Sequence, residues 1–306
     1  MFRISYSGLV AAVFLFAAAI SPAQGADSKP LPDIASKTTL KWVGCGISKK
    51  SYMNALAALY EKKTGVHIQV SGGGATKGIR EAAAGTADIG GSCRFKLPND
   101  PREKDAVLVP VAWDALVVIA HPDNPVDNIT VDQVRKVYLG EIDNWKQLGG
   151  RDAPIHLFVR KGKISGVGRT IRQLVFANYE QDFSPKARQF RSSGPLEKGI
   201  EKDPDGIAIT GVSSARKRHV EILKLNGKDP SYDNIRAGKY LLYRPLYLAY
   251  NPNSPHLKEI QAFIRFADTP AGQKCMRDNG TVPYLSAIGL VTKKLQQAID
   301  ANKRGL

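Results

Sequence analysis

VSGGGATKGIREAAAGTADIGGSCR, residues 70–94, decides the fold. The alternating β-branched residues Val66, Ile68 and Val70 predict a strand that ends at Ser71 and runs into Gly72, Gly73 and Gly74. The apolar spacing that follows predicts an amphipathic helix over 75–84, and residues 87–90 then predict a second short strand. Glycines after a strand let the backbone adopt positive φ and approach a ligand closely. The helix behind them aims its unpaired N–H groups and positive dipole end at whatever sits in the turn. A strand, a glycine turn and a helix therefore read either as an anion site built mainly from backbone or as an ordinary βα connection.

The same alternation extends in both directions and predicts an α/β protein with mostly parallel sheets. Residues 40–43 predict a strand, and Ser48 is placed to cap a helix reaching about Lys63. Residues 107–111 and 116–120 are apolar runs joined by Ala112-Trp113-Asp114-Ala115. Thr130 caps the helix VDQVRKVYL, which Gly140 ends. A strand over 155–159 leads through a glycine-containing turn to a helix over 169–178. Another strand covers 206–211, a long extended run covers 240–250, and helices over 255–266, 270–279 and 292–301 finish the chain. The two long runs, 107–120 and 241–250, divide the chain into thirds. If both pass between lobes, residues 26–112 and 245–306 form one lobe and the inserted residues 113–244 form the second. That arrangement is a two-lobed clamp with a cleft and a two-stranded hinge.

Residues 1–25 read as a signal peptide, with Arg3, an apolar stretch over 8–20, the breakers Ser21 and Pro22, and small residues at 23–25. That stretch is short for a membrane span, and export to a periplasm-like space is the expectation. The formal net charge is +16. Lys and Arg are scattered, with one cluster at Arg216-Lys217-Arg218, and no nucleic-acid module accompanies them. A diffuse positive field that attracts small anions is the reading, beside a generic solvated surface. The five histidines have no metal-ligand spacing, and no zinc-protease, Walker A or serine-hydrolase signature is present. No metal, cofactor or catalytic residue is expected, and the chain reads as a binding protein rather than an enzyme.

Several stretches resemble the PstS-type phosphate-binding proteins. GGGATKGIREAAAGTADIGGSCR is similar to that family's glycine-rich turn, K-x-I, helix and G-x-x-D-I-G-x-S segment. VPVAWDALVVIAHPDNPVDNITVDQVRKVYLGEIDNWKQLGG, residues 109–150, resembles its most distinctive block. Arg160 with Ser165-Gly166-Val167-Gly168-Arg169 resembles its Arg plus S-G-x-G phosphate turn. DPDGIAITGVSSA and GKYLLYRPLYLAYNP resemble its later segments, so the likeness spans about residues 40–283. It implies a type II periplasmic-binding-protein fold, two α/β lobes joined by a two-stranded hinge. It also implies capture of a small oxyanion, inorganic phosphate first, by a monomer that serves an ABC permease in the inner membrane.

The resemblance places four contact loops on this chain: Cys45-Gly46-Ile47-Ser48; Ser71 with Gly72 and Gly73; Ser92-Cys93-Arg94; and Arg160 with Ser165, Gly166, Val167, Gly168 and Arg169. Val167 stands where a hydroxyl residue is usual. Cys93 stands where some members carry the Asp that takes the proton of hydrogen phosphate. Arg160 can present a planar fork to two oxyanion oxygens, which Lys cannot. Arg94 and Arg169 read as ligand contacts or as solvent-facing charges. Cys45 and Cys93 read as buried small residues, as a disulfide, or as thiolate ligands of a metalloid or copper ion in a divergent receptor or sensor. Trp113 and Asp114 fall at the first crossover. Tyr243, Arg244 and Tyr247, on the second, read as sheet packing.

Overall fold

The computed structural model describes residues 38–97 and 99–304; the expected signal peptide, 1–25, lies outside the described residues. Eight main strands form the sheet: β1 (Thr39–Gly44), β2 (His67–Gly72), β3 (Ile89–Ser92), β4 (Val107–Ala120), β5 (His156–Arg160), β6 (Arg188–Phe190), β7 (Gly206–Gly211) and β8 (Tyr243–Tyr250). Their order is β2-β1-β3-β8-β4-β7-β5-β6, and the two-residue strands Glu221–Ile222 and Val282–Pro283 add to β4. β1, β2 and β3 are mutually parallel, as are β5, β6 and β7, while β4 and β8 run antiparallel to their neighbours.

The apolar runs on either side of residues 112–115 are one 14-residue strand. From Val107 to Ala115 β4 pairs with β8, and from Leu116 to Ala120 it pairs with β7. The sheet therefore has two halves, and β4 changes partner between Ala115 and Leu116. Every residue from Val111 to Ala120 is buried, which is why this strand reads as nearly continuous hydrophobicity.

Around the sheet lie α1, a helical run made of Gly46–Ser48, a π-turn at Lys49–Met53 and Asn54–Thr64; α2 (Ala75–Ala83); α3 (Val131–Leu139); α4 (Gly166–Ile171), prolonged by a π-turn at Arg172–Phe176; and α5 (Ser193–Ile200). α6 (Val212–Ala215), α7 (Leu257–Asp268), α8 (Pro270–Asp278) and α9 (Leu290–Arg304) follow. The expected cap of α3 is present as a full capping box between Thr130 and Gln133, and Gly140 closes the helix at φ 80°. Two starts differ from expectation. α1 begins with Cys45 as its cap, and Ser48 lies buried inside it. α4 begins at Gly166 because Ser165 accepts a hydrogen bond from Gly168 N–H, three residues ahead of the expected start.

Glycine sets how α2 meets the sheet. A Cβ on Gly91 would overlap the Trp42 indole, and one on Gly78 would lie 2.7 Å from Gly91 O and 2.8 Å from Val43 O. Gly90 and Gly91 thus serve helix-on-sheet contact rather than ligand approach. The glycine turn is likewise committed: Gly73 and Gly74 both donate N–H to Gly44 O, at 2.9 and 3.0 Å. Gly74, at φ 90°, then caps α2.

Beyond β3 the chain is pinned by a buried ion pair. Arg94 presents a fork to Glu103, with contacts of 2.6 and 2.8 Å, and also donates to Ile164 O, Phe95 O and Thr76 Oγ1. The pair ties the exit of β3 to the start of α2 and to the loop before α4. Removing the carboxylate alone leaves a buried guanidinium uncompensated, a change that costs about 3–5 kcal/mol. Glu103→Ala is therefore expected to lower the urea unfolding midpoint by that much stability. A loss under about 1 kcal/mol, the range of a surface pair, would show that the pair does not hold this junction.

Candidate functional site

The start of α1 and the end of β3 are brought together because Cys45 N–H donates to Gly91 O at 2.9 Å. Their side chains meet: Cys45 Sγ and Cys93 Sγ lie 2.9 Å apart, both buried and both free thiols. The contact with Cys93 lowers the Cys45 pKa to about 6; burial opposes this, while Arg244 and the Ser48 and Ile47 amides add to it. Cys93 moves well upward, because of the same contact with Cys45 and because it is buried. The pair therefore favours charge on Cys45, at a helix N-terminus, over charge on Cys93.

α4 comes to the same place from the other half of the sheet. A Cβ on Gly166 would collide with Cys93 Sγ and would lie 3.2 Å from Ala75 Cβ, so only glycine admits this contact. Ile47 crosses the seam in the opposite sense, since a Cβ on Gly211 would lie 2.6 Å from Ile47 Cγ2.

Arg244 occupies the centre of this arrangement. In β8 it stands directly across from Asp114 of β4, and its Nη2 lies 3.4 Å from Asp114 Oδ2. Ser213 Oγ, at the start of α6, donates to Asp114 Oδ1 at 3.0 Å. Arg244 is 1% exposed, yet its Nε and Nη1 have no partner among the described residues. Burial works against its charge, but the thiols and Asp114 outweigh burial and keep the guanidinium protonated. Burial pushes the Asp114 carboxyl up against the pull of Arg244 and Ser213. An unpaired buried donor costs free energy, so these N–H groups are pre-set for an acceptor.

The other expected contacts separate into groups. Arg160 is anchored, with Nε to Phe190 O at 3.2 Å, Nη1 to Ser193 Oγ at 3.1 Å and Nη2 to Arg191 O at 2.6 Å. Its charge still acts on both thiols, and one N–H on each terminal nitrogen is left. Arg94 is committed to Glu103, and Ser92 Oγ donates to Arg94 O at 2.7 Å to shape that turn. Ser165 serves as a cap and Val167 is buried, while Gly168 donates to Ser165 and accepts from Arg172. Ser71, Gly72 and Gly73 are exposed, and Ser71 donates to Trp42 O at 3.3 Å, so this loop does not join the buried cluster. Gly46 is exposed with open space beside it, and Ser48 Oγ is buried without a partner among the described residues. Arg169 lies over the Tyr179 ring at 3.9 Å.

Arg244, Asp114 and Ser213 are the site residues that the loop-by-loop reading misses. The sequence does contain a signal for two of them: each long buried run, AWDALVVIA and YRPLYLAY, carries one charge, and the two charges are opposite. Beyond Arg244 and Cys93 opens a cavity of about 410 Å³, walled by Trp113, Tyr247, Tyr284, Arg169, Val291 and Lys294, among others. One group of metal-type ligands occurs among the described residues, His156 with Asp203 and Asp205. Arg188 pairs with Asp203 at 2.9 Å and Arg151 with Asp205 at 2.6 Å, so both carboxylates are neutralised.

Comparison with known proteins agrees with this architecture. A PBP superfamily domain matches residues 36–269. The phosphate-binding protein PstS of Borreliella burgdorferi is 30% identical over 192 residues, covering 60% of this chain and 68% of the relative. PstS of Bacillus subtilis is 28% identical over 243 residues, covering 77% and 79%. Among solved structures, a Clostridium perfringens protein crystallised with bound phosphate superposes with a TM-score of 0.74 at 24% identity, covering 80% of this chain and 99% of that one. An ABC-type phosphate transport receptor from Vibrio cholerae gives 0.62 at 25% identity, covering 79% and 99%. These structures share the type II periplasmic-binding-protein fold. With its sheet order, the long strand β4 that joins the two halves and these relatives, the chain belongs to the PBP superfamily, as a divergent member of the PstS type.

Proposed function

We propose that this chain is an exported solute-binding protein that captures inorganic phosphate, or a small oxyanion like it, for an ABC importer. The observation that carries the reading is Arg244, a buried guanidinium with two unpartnered donor nitrogens at the seam between the sheet halves. Its relatives are named as phosphate-binding proteins, which supports the same ligand. In this reading residues 26–112 with 245–306, and residues 113–244, are lobes that part and close about the crossing strands. Parting separates the Gly166 turn from Cys93 and opens room for a tetrahedral anion. The anion takes Arg244 Nε and Nη1, the free N–H groups of Arg160 and the first-turn amides of α1 and α4. These donors replace its hydration shell, and no bond is made or broken. The bound anion favours the protonated form of Cys45, whose thiol then donates to an oxyanion oxygen. The closed form is then read as a monomer by a permease in the inner membrane.

The thiol pair supports a second reading, a receptor or sensor for a thiophilic ligand such as a metalloid or copper ion. Two buried sulfurs in contact offer soft ligands that suit such species.

Calorimetric titration with phosphate separates the two readings. One-to-one binding that is indifferent to reductant is expected, and Arg244→Met should weaken it about 10- to 100-fold, as the loss of charged hydrogen bonds implies. Absence of phosphate binding, with arsenite bound only while the thiols are free, would move the function to the second reading.

The thiol pair also predicts a proton linkage. A bound anion raises the Cys45 pKa from about 6, so binding takes up protons between that pH and the raised value. Affinity accordingly falls as pH rises through this window. Titration in buffers of different ionisation enthalpy should show uptake that Cys45→Ser removes; equal uptake in both proteins would place the proton on the ligand alone.

A further inference from the structure

The cavity beyond Arg244 is larger than a bare tetrahedral oxyanion requires. At about 410 Å³ it falls in the range that holds organic ligands. Its walls have a consistent chemistry. Trp113 and Tyr284 stack with centroids 5.0 Å apart and planes 15° from parallel, and Trp113 Nε1 donates to Tyr284 O at 3.1 Å, which fixes that wall. Phe95 and Tyr247 meet edge to face at 5.7 Å on another side. α9 contributes Val291, Lys294 and Leu295. The Lys294 amine donates to Gln173 Oε1 at 3.0 Å and is pushed down to about 7, first by burial and then by Arg244. The lining includes cationic residues and no carboxylate. Of its cations, Arg94 is committed to Glu103, and Lys96 donates to Lys104 O and Ala106 O. Arg244 is not, since its Nε and Nη1 lack partners although the side chain is 1% exposed.

We propose that this cavity binds the flat apolar body of an organic oxyanion, an aromatic phosphonate or carboxylate, whose head is held by Arg244. The inference rests on the cleft being an anion site and narrows its ligand class. Apolar walls alone would suit any hydrophobe, and a lone guanidinium would suit any anion. Their combination, with cations on the rim and no carboxylate to pair a cationic ligand, selects a molecule with one compact anionic end and one aromatic end. The body lies against the Trp113–Tyr284 wall and beneath α9, while the head pairs with Arg244.

The test is calorimetric titration of the full chain with inorganic phosphate, phenylphosphonate and benzoate. Burial of a phenyl ring predicts that phenylphosphonate binds about tenfold or more tightly than phosphate. The benzoate arm decides whether the head is a phosphonate or a carboxylate. Val291→Trp, which fills the cavity from α9, should bring the phenylphosphonate-to-phosphate affinity ratio down toward one. Arg244→Met should weaken every ligand that binds. Tight phosphate binding with neither aromatic anion bound would overturn this inference and leave the phosphate receptor standing. Aromatic binding that survives both substitutions unchanged would place the ligand elsewhere and overturn it as well. Failure of all three ligands would remove the anion cleft and this inference together.

Discussion

Everything at the centre of this molecule depends on one buried charge, the Arg244 guanidinium opposite Asp114. Taking a guanidinium out of water costs several kcal/mol unless opposite charge and hydrogen bonds compensate it. Here the compensation is incomplete by design of the fold. Asp114 approaches one terminal nitrogen at 3.4 Å and is itself held by Ser213, while the two thiols supply further negative potential. The pair sits where β4 exchanges β8 for β7, so the groups around it come from both halves of the sheet. Cys45 and Cys93 belong to one half, and Ser213 to the other. Neither half alone could surround Arg244, and that is why the positive charge and the seam coincide.

The α/β class, the turn after β2, the capping box of α3 and the two long extended runs were all legible, because each is written in local spacing or in cap chemistry. The pairing of arginines with their partners was not. Arg94, Arg160, Arg169 and Arg244 look alike along the chain, yet one is saturated by Glu103, one is anchored on carbonyls, one lies on a tyrosine ring and one keeps two free donors. That sorting depends on which carbonyls and carboxylates the tertiary fold brings near, and no periodicity encodes it. The glycine turn shows the same limit. Gly73 and Gly74 fit an anion cradle by sequence, but Gly44 O reaches their N–H groups first. Local pattern identifies the donors, while long-range packing determines who receives from them.

The thiols alter the electrostatics of the cleft in a specific way. A carboxylate at Cys93 would carry fixed charge at any neutral pH, whereas the dithiol holds a charge that depends on whether an anion is present. The adjoining cavity is aromatic on its walls and cationic at its edges. In the proposed reading the two regions divide recognition between a compact polar end and a flat apolar end, and Arg244 borders both.

The layer of glycines between α2 and the sheet has a further consequence, for the ways in which this protein can change. At Gly78 and Gly90 backbone lies against backbone, where any side chain would force the helix off the sheet, and at Gly91 a side chain would collide with Trp42. These positions are closed to stepwise variation, so the β1–α2–β3 unit works as an inherited chassis. Freedom to drift lies on the opposite wall, in α9 and the turn before α4, where exposed or half-buried side chains can be exchanged without moving a strand. A lineage built on this chain would explore new ligands by altering that wall, keeping its anion grip while it retailors the rest.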